Sequence, residues 1–300
     1  MIEYLIGFLK MNDVEYAENR LLRDFSSVGI GGRAPIIVFP NNIPKLCNTV
    51  YFLEKQKIKY KILGRMSNIL PPDDYYSCAI IKTDKMSGFS IKDNKMVVCA
   101  GASLPYLAYK TSEEGLSGLE ELSGIPGSLG GSILGNAGAF GREISDIVLS
   151  VTCYDGQNDK IITLSNDDCD FSYRYSVFKD NGLVIISAEL SLISATSEKT
   201  KARIDEVRKT RALTQPVGEK SLGSTFKRTA DGISAAMLID KCGLKGYSIG
   251  GAQISTKHAG FIVNTGSACA HDYISLMEYA RHKVKEKFNI ALNEEIEIIK

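Results

Sequence analysis

The sequence of 300 residues has no tryptophan and only three histidines, none of them in an HExxH motif or a Cys/His cluster. Zinc sites need closely spaced nitrogen and sulfur ligands, so this pattern predicts that no metal is bound. A charge excess is also missing, because 36 basic residues balance 35 acidic residues. Nucleic-acid binding requires a basic surface stripe, and the sequence therefore predicts no nucleic-acid partner.

Paired cysteine motifs and long hydrophobic runs are missing as well. The seven cysteines form no CxxC motif and their number is odd, so we expect reduced thiols in a cytoplasmic protein. The apolar stretch at residues 4–9 has no basic region before it and is far too short to span a membrane. It predicts an amphipathic helix, and we expect neither membrane insertion nor export.

Apolar periodicity predicts the regular elements. A helix is predicted over residues 1–20, strand and helix then alternate over the first 80 residues, and strands dominate afterwards. A charged helical segment at 197–211 is interpreted as a connector. The other predicted helices are 43–57, 104–114, 235–242 and 270–288, and the predicted strands are 36–39, 59–63, 79–82, 96–100, 147–154, 160–164, 183–192, 260–264 and 295–299.

Residues 29–34, Gly-Ile-Gly-Gly-Arg-Ala, match one version of the dinucleotide fingerprint. That fingerprint needs a strand before it and a helix N-terminus after it. Here Pro35 and a β-branched run follow, so no helix points at a pyrophosphate. We interpret the segment as a tight turn that leads into a strand.

Residues 115–141 are unusually rich in glycine, but large apolar residues that require burial are interleaved with the glycines. This excludes a flexible linker. Buried glycine-rich backbone either approaches another group closely or adopts positive φ angles. Successive N–H groups in such turns form concave anion sites, so the segment suits a pyrophosphate.

Four short polar segments contain further candidate residues, and each also has an ordinary structural interpretation. The Ser-Asn pair at 67–68 follows a predicted strand, where ligands often bind in α/β units. Arg174 lies among tyrosines and could simply stack on their rings. The segment 223–227, Gly-Ser-Thr-Phe-Lys, lies between a loop and a helix, so Ser224 could be an N-cap. Glu295 lies in the last predicted strand and could simply face solvent.

Together these segments resemble the UDP-N-acetylenolpyruvoylglucosamine reductase family, usually called MurB. Residues 123–146, SGIPGSLGGSILGNAGAFGREISD, resemble its flavin-binding core motif almost position by position. Further motifs follow in the family's order: YRYSVFK at 173–179, QPVGEKSLGSTFKR at 215–228, LIDKCGLKGYSIGGAQISTKHAGFIVN at 238–264 and LNEEIEII at 292–299. The resemblance covers nearly the whole chain and corresponds to the shorter type, which lacks a tyrosine-bearing insertion.

The resemblance implies an α+β fold of the vanillyl-alcohol-oxidase-like (PCMH) type, with a two-part FAD-binding region and a C-terminal α+β substrate domain. The implied FAD-binding subdomains are 1–80 and 81–196, and 197–300 would bind the UDP-sugar. FAD would be held by residues that match the family's flavin loops: Gly64, Ser67, Asn68, Gly124, Ile125, Pro126, Gly127, Gly130, Gly131, Asn136, Ala137 and Gly138. The substrate would be bound by Tyr173, Lys227, Lys257, His258 and Asn264.

The implied activity is NADPH-dependent reduction of UDP-N-acetylglucosamine enolpyruvate to UDP-N-acetylmuramate, by a monomeric cytoplasmic enzyme of peptidoglycan precursor synthesis. NADPH reduces FAD, which delivers hydride to C3 of the enol ether, and negative charge builds at C2 and its carboxylate. By their match to family positions, Arg174 and Glu295 would stabilise that charge and Ser224 would protonate C2.

Two positions depart from the family pattern. Met66, preceded by Arg65, stands where the family usually has a glycine, so a side chain must fit where backbone approaches FAD. Arg228 stands where many members have asparagine. Two alternatives stay open: another flavin oxidoreductase of the same fold, and a non-catalytic relative, for which Met66 is the indication. For the first, no histidine before His258 is present to tether the flavin.

Overall fold

The structure, a computed structural model, describes residues 2–300, and Met1 lies outside the described residues. The chain forms two compact units. The first unit consists of residues 2–18, Pro35–Arg65 and Cys78–Lys209, and the second of Asn19–Ala34, Met66–Ser77 and Thr210–Lys300. The sequence pattern did not indicate this interleaving, and the division at residues 80 and 196 stays a proposal.

Each unit contains both helices and short strands. The helices are α1 (Ile2–Met11), α2 (Ile43–Lys55), α3 (Leu104–Glu113), α4 (Leu129–Leu134), α5 (Ser197–Thr214), α6 (Ala235–Lys241) and α7 (Ala270–Phe288). The strands are β1 (Glu15–Leu21), β2 (Arg33–Phe39), β3 (Tyr60–Leu63), β4 (Ile69–Leu70), β5 (Ala79–Lys82), β6 (Phe89–Lys92), β7 (Lys95–Cys99), β8 (Leu116–Ser117), β9 (Gly138–Ala139), β10 (Arg142–Glu143), β11 (Val148–Asp155), β12 (Lys160–Ser165), β13 (Val184–Ser191), β14 (Ile193–Ser194), β15 (Ser221–Ser224), β16 (Ser248–Ile249), β17 (Ala252–Ile254), β18 (Phe261–Asn264) and β19 (Glu297–Ile298).

One core of the first unit lies between α1, α2 and a four-stranded sheet with the order β1-β2-β5-β3. β5 pairs in parallel with both β2 and β3. Parallel strands need a crossover connection, and α2 supplies it between β2 and β3. On α1, Leu5 and Leu9 are one turn apart and fully buried, which confirms the predicted amphipathic helix.

A second core of the first unit lies on a five-stranded antiparallel sheet with the order β12-β11-β13-β7-β6. Apolar residues of the glycine-rich segment, among them Leu119, Leu122, Leu129 and Ile133, are fully buried in this core. The segment is therefore part of the core, as expected, and glycine brings its backbone close to neighbouring loops.

The second unit packs α6 and α7 with an antiparallel sheet of order β15-β18-β17-β16. On α7, Tyr273, Leu276, Ala280 and Val284 repeat at helical spacing and are buried. A short parallel pair between β19 and β4 joins the C-terminal segment to residues 66–77. The glycine-containing segment 29–34 leads into β2 with no helix after it, which confirms the tight-turn interpretation.

Most predicted elements are confirmed within a few residues, and β5 and α7 have the predicted bounds. The helix predicted over 1–20 is wrong beyond Met11. Asp13 has a φ angle of +50°, which ends the helix, and β1 then pairs with β2. Sheet pairing overrides helix propensity there. The last strand is shorter than predicted, so Glu295 lies just before β19 and outside it.

None of the helices within residues 2–300 is long and apolar enough to cross a membrane. Over the same residues, no group of three or more His, Cys, Asp or Glu side chains is arranged to hold a metal ion. All seven cysteines are free thiols. Burial raises the pKa of Cys47, Cys153 and Cys169 to about 11, so these three behave as inert core residues at neutral pH.

Candidate active site

In the first unit, the glycine-rich segment is bonded to the loop that follows β7. The N–H of Gly130 donates to the carbonyl of Ala100 at 2.8 Å. A Cβ at Gly130 would lie 3.0 Å from the Cβ of Ala100, so glycine permits this close approach. The hydroxyl of Ser128 caps α4 by accepting the N–H of Gly131 at 3.4 Å.

The end of β3 lies against the same segment and beside the end of β5. A Cβ at Gly64 would overlap the hydroxyl of Ser128. The Gly64 carbonyl accepts a hydrogen bond from Nζ of Lys82, which is 2% exposed and forms an ion pair with Asp84 at 2.8 Å. Burial lowers the pKa of Lys82, and Asp84 opposes that shift. The predicted flavin residue Gly64 is therefore held in place from two sides.

One polar atom at the start of the flavin motif has no protein partner. Over residues 2–300, the hydroxyl of Ser123 is among the few buried side-chain polar atoms without a hydrogen bond. Buried hydroxyls are nearly always bonded, so this one suits a ligand atom. In the backbone that follows directly, Pro126 has no N–H and that of Ile125 is bonded to the Leu122 carbonyl at 3.0 Å, so the N–H groups of Gly124 and Gly127 are the ones that can face a phosphate. The residues present therefore fit FAD, and they form one continuous segment with Gly130 and Gly131.

Asn136 is fully engaged inside the first unit. It is 1% exposed and has a φ angle of +39°. Its side-chain amide donates to Oε2 of Glu143 at 2.8 Å and to the carbonyl of Ser172 at 3.0 Å, and its oxygen accepts the N–H of Ser145 at 3.2 Å. An FAD contact in this turn would therefore come from backbone atoms, including those of residues 137–138.

Arg174 presents its guanidinium in a direction fixed by several neighbours. Its backbone is left-handed, with a φ angle of +58°. Cζ lies 4.9 Å from the centre of the Tyr173 ring, so the stacking interpretation is confirmed. Nη2 donates to the carbonyl of Gly138 at 3.2 Å, and Nη1 lies 3.9 Å from Oε1 of Glu143. A fixed, permanently charged fork of this kind suits a carboxylate ligand.

In the second unit, the structure brings Ser224 and Glu295 together. The N–H of Glu295 donates to the carbonyl of Thr225, the residue after Ser224, at 2.9 Å. Asn68 joins the same cluster, because its side-chain amide donates to the Glu295 carbonyl at 3.0 Å. Two predicted catalytic residues and one predicted cofactor residue, distant in sequence, are thus neighbours. Arg174 belongs to the first unit.

Ser224 is the last residue of β15. The prediction that residues 223–227 lie between a loop and a helix is therefore wrong. β15 pairs with β18, and Ser224 lies opposite Phe261. Gly223 has a φ angle of +78°, and the register shifts between Ser221 and Ser224. Such bulges re-aim the side chains that follow them. Long-range strand pairing, which local sequence does not reveal, decides this segment.

Two predicted substrate residues are bonded within the second unit. The side-chain amide of Asn264 donates to the carbonyl of Val28 at 2.9 Å, and its oxygen accepts N–H groups of the turn 266–268 at 2.8 and 3.0 Å. Nζ of Lys257 donates to the carbonyl of Ala212. A substrate contact by either side chain would have to share or replace these bonds. Lys227 lies half-buried just beyond Ser224.

His258 is half-buried against Phe261, with the ring centres 4.9 Å apart. The N–H of Gly260 donates to Nδ1 of His258 at 3.2 Å, so the neutral ring carries its proton on Nε2. Burial lowers the pKa of His258 from its usual 6.5, and Lys245 adds to the shift while Asp240 opposes it. The neutral form with an Nε2 donor is therefore the one present at neutral pH.

We expect the free energy of unfolding to depend on pH through His258. Because the folded pKa lies below the unfolded value, the unfolded chain binds more protons at mildly acidic pH. Stability should therefore rise as pH increases to about 6.5 and gain nothing further from this residue above it. Urea unfolding of the wild type and His258→Gln checks this. A stability difference between the two proteins that is independent of pH would contradict it.

Met66 occupies backbone that favours glycine, yet its side chain is buried. Its φ angle is +51° and it is 2% exposed. Left-handed backbone costs a non-glycine residue about 1–2 kcal/mol. Full burial of a methionine side chain stabilises by about 1.5–3 kcal/mol. Burial thus offsets the unfavourable backbone, which accounts for methionine where the family usually has glycine.

Met66→Ala and Met66→Gly separate these two effects. Both variants lose the buried side chain, but only alanine keeps the left-handed strain. We expect Met66→Ala to be less stable than Met66→Gly by about 1 kcal/mol, and both to be less stable than the wild type. Urea unfolding measures the three free energies. An alanine variant at least as stable as the glycine variant would show that backbone strain is absent.

Three residues at the site were missed by sequence reasoning: Ser123, Glu143 and Lys82. Ser123 and Glu143 belong to the 123–146 motif, where polar residues in a buried glycine-rich segment are a usable signal. The sequence also offered a signal for Lys82, because this residue ends an otherwise apolar strand. The structure shows that Lys82 is buried. Its hydrogen bond to Gly64 depends on strand order, which local sequence does not give.

Comparisons with known proteins show which families the two halves of the chain match. Residues 34–165 match the family model of an FAD binding domain, and residues 215–299 match that of the UDP-N-acetylenolpyruvoylglucosamine reductase C-terminal domain. The UDP-N-acetylenolpyruvoylglucosamine reductase of Caldanaerobacter subterraneus subsp. tengcongensis is 39% identical over 301 residues, covering 100% of this chain and 99% of the relative. That of Clostridium novyi is 39% identical over 285 residues, covering 95% of this chain and 92% of the relative.

A solved structure is similar as well. The crystal structure of UDP-N-acetylenolpyruvylglucosamine reductase (MurB) from Thermus caldophilus matches with a TM-score of 0.81 at 32% identity, covering 96% of this chain and 99% of that chain. The expected fold class is confirmed: an α+β fold with an FAD-binding region of the vanillyl-alcohol-oxidase-like type followed by a C-terminal α+β part.

Proposed function

Because the chain belongs to the UDP-N-acetylenolpyruvoylglucosamine reductase (MurB) family, we propose that it reduces UDP-N-acetylglucosamine enolpyruvate to UDP-N-acetylmuramate with electrons from NADPH. This reaction serves peptidoglycan precursor synthesis. The chain is an FAD-dependent oxidoreductase. The use of NADPH, a cytoplasmic location and a monomeric state are parts of the proposal.

The observation that carries the proposal is the neighbouring position of Ser224 and Glu295 in the second unit. Reduction of an enol ether adds hydride to one carbon and a proton to the next, so the protein must supply an acid at a defined place. The Ser224 hydroxyl at a strand bulge provides such a place, and the backbone bond from Glu295 to Thr225 brings residue 295 beside this segment.

FAD supplies the hydride when it is bound. In the proposed reaction, hydride adds to C3 of the enol ether and the Ser224 hydroxyl donates a proton to C2, so the π bond is replaced by two C–H bonds. Water then returns a proton to the serine oxygen. Arg174 binds the carboxylate on C2 and stabilises the charge that builds there. Glu295 supports the same charge as the protonated acid, whose O–H donates a hydrogen bond to it. Lys227 polarises the site from the segment after Ser224.

The remaining roles are assigned by match to the family motifs. FAD is proposed to be bound by the residue 64–68 loop, by the 123–131 segment and by the turn at 136–138. The UDP-sugar is proposed to be bound by the second unit through Lys257, His258 and Asn264, and by Tyr173. A neutral His258 supplies an Nε2 donor to an oxygen of the substrate.

Anaerobic oxidation of NADPH by the purified protein tests the proposal. The visible spectrum should show bound flavin, and NADPH should be turned over only when UDP-N-acetylglucosamine enolpyruvate is present. Flavin that NADPH bleaches but the enolpyruvyl sugar does not reoxidise would contradict the proposed substrate. Failure to take up added FAD would contradict the whole proposal and favour a non-catalytic relative.

A further inference from the structure

Glu143 lies at the centre of a hydrogen-bond network in the first unit. Its Oε2 accepts from the side-chain amide of Asn136 at 2.8 Å, and its Oε1 lies 3.9 Å from Nη1 of Arg174. Its carboxylate also accepts the backbone N–H of Asp146, and its own N–H donates to Oδ2 of Asp146 at 2.9 Å. One carboxylate thus joins a turn, a buried amide and the guanidinium.

A capping role alone does not explain this arrangement. Glu143 caps the turn at residues 144–146 with its carboxylate and its backbone. Many capping side chains do this without any second hydrogen-bond partner. Here the second partner, Asn136, is 1% exposed, and its other polar groups are bonded to Ser172 and Ser145. The carboxylate is therefore held rigidly while its Oε1 faces Arg174.

The backbone around Arg174 is shaped to accept this contact. Gly138 supplies the carbonyl that binds Nη2, and a Cβ there would lie 2.9 Å from Cγ of Glu143 and 3.4 Å from Nη1 of Arg174. A side chain at position 138 would separate the carboxylate from the guanidinium. The Tyr173 ring covers the guanidinium at 4.9 Å.

We propose that Glu143 is a positioning residue, which together with Asn136 orients the guanidinium of Arg174 toward the substrate carboxylate. This inference rests on the proposed function. An arginine side chain has many rotamers, and ordering it only when charge develops would cost free energy in the transition state. A guanidinium already held by a carboxylate, a carbonyl and a ring requires little reorganisation. Glu143 acts through Arg174 and does not touch the substrate.

Glu143→Gln is the sharpest test, because glutamine has the same shape but faces Nη1 with an uncharged group. Flavin reduction by NADPH should be unchanged. Reoxidation of the reduced flavin by the enolpyruvyl sugar should slow by about tenfold to a hundredfold, since small displacements of a catalytic group have effects of that size. Stopped-flow absorbance measures the two half-reactions separately. Equal losses in both would overturn the proposal.

Two further variants make the test specific. Glu189→Gln removes a carboxylate of similar exposure, which pairs with Lys95 at 3.2 Å in the same unit, and should leave both half-reactions unchanged. In an Arg174→Lys background, Glu143→Gln should slow reoxidation by less than threefold further, because its partner is already lost. A full additional loss would mean that Glu143 acts independently of Arg174, which would overturn the proposal.

Nitrogen-15 NMR of the arginine side chains tests the orientation without any turnover. The Nε–Hε signal of Arg174, assigned by its loss in Arg174→Lys, should be sharp in the wild type and broadened in Glu143→Gln. Unchanged signals would overturn the positioning role. A wild-type protein that shows this pattern but does not turn over the enolpyruvyl sugar would support the positioning of Arg174 and contradict the proposed function.

Discussion

Replacing Ser224 with alanine is expected to slow reoxidation of the reduced flavin by the enolpyruvyl sugar by between about 10²-fold and 10⁴-fold, the usual contribution of a positioned proton donor. FAD binding and flavin reduction by NADPH should not change, because neither step needs that proton. Single-turnover absorbance of the anaerobically reduced protein measures the effect. Water can still protonate the product slowly, so residual activity is expected.

The structure explains why the effect should belong to this hydroxyl alone. Ser224 follows Gly223, whose φ angle of +78° belongs to a register shift in β15, and its neighbour Thr225 accepts the N–H of Glu295 at 2.9 Å. A bulge and a cross-segment bond together fix the direction of one side chain.

Ser221→Ala is the matched control for this prediction. Ser221 begins the same strand, and its carbonyl, which the substitution keeps, accepts the hydroxyl of Ser27 at 2.7 Å. The variant should behave as the wild type in both half-reactions. If Ser224→Ala and Ser221→Ala slow reoxidation equally, the hydroxyl of Ser224 is not the proton donor, and strand distortion explains the loss.

Elements with strong local periodicity could be predicted from the sequence. α7 was predicted with its observed bounds because apolar residues repeat at helical spacing along it. β5 was equally clear, as a short apolar run with turn residues before it. The glycine-rich segment was correctly placed in the core because its leucines and isoleucines require burial.

Features that depend on distant partners could not be predicted. Residues 19–34 and 66–77 belong to the second unit through bonds such as that from Asn264 to the Val28 carbonyl at 2.9 Å. The strand position of Ser224 likewise depends on pairing with β18. Local sequence does not reveal that Asn264 bonds to Val28 or that β15 pairs with β18, because in each case the two partners are far apart in the chain.

The candidate site divides in the same way. Its residue types came from family motifs, but the Glu143–Arg174 contact forms where the backbone of Arg174 is left-handed, at a φ angle of +58°. Arginine gives no signal for that conformation, which is uncommon outside glycine, asparagine and aspartate. At Met66 the backbone conformation could be inferred, because the family usually has glycine there. Only the structure shows that the methionine side chain is buried.

Gly101→Ala is expected to produce the largest loss of stability. A Cβ at Gly101 would overlap the carbonyl oxygen of Thr83 and would lie 2.8 Å from the carbonyl oxygen of Met86. Both are backbone atoms, so no side chain can rotate away, and the N–H of Gly101 is itself bonded to Met86 at 2.9 Å. We expect a loss of about 3 kcal/mol or more in the free energy of unfolding, measured in urea.

The same variant should lose FAD, because Gly101 lies between the two residues that hold the flavin segment. The Ala100 carbonyl accepts the N–H of Gly130 and the Ala102 carbonyl accepts the N–H of Leu129, each at 2.8 Å. Displacing residue 101 from Thr83 moves both acceptors and therefore the start of α4. Flavin content of the purified variant, from its visible absorbance, should fall well below that of the wild type.

Gly88→Ala provides the comparison within the same unit, since the nearest atom to its added Cβ is Sγ of Cys99 at 3.9 Å. That is an ordinary van der Waals distance, so Gly88→Ala should keep wild-type stability and flavin content. If Gly101→Ala also keeps both, the contact between Gly101 and Thr83 does not define this part of the fold, and the backbone bonds from residues 100 and 102 do not hold the FAD segment. If stability falls but flavin content is retained in the folded fraction, those bonds support the core and the cofactor is held by other residues of the segment.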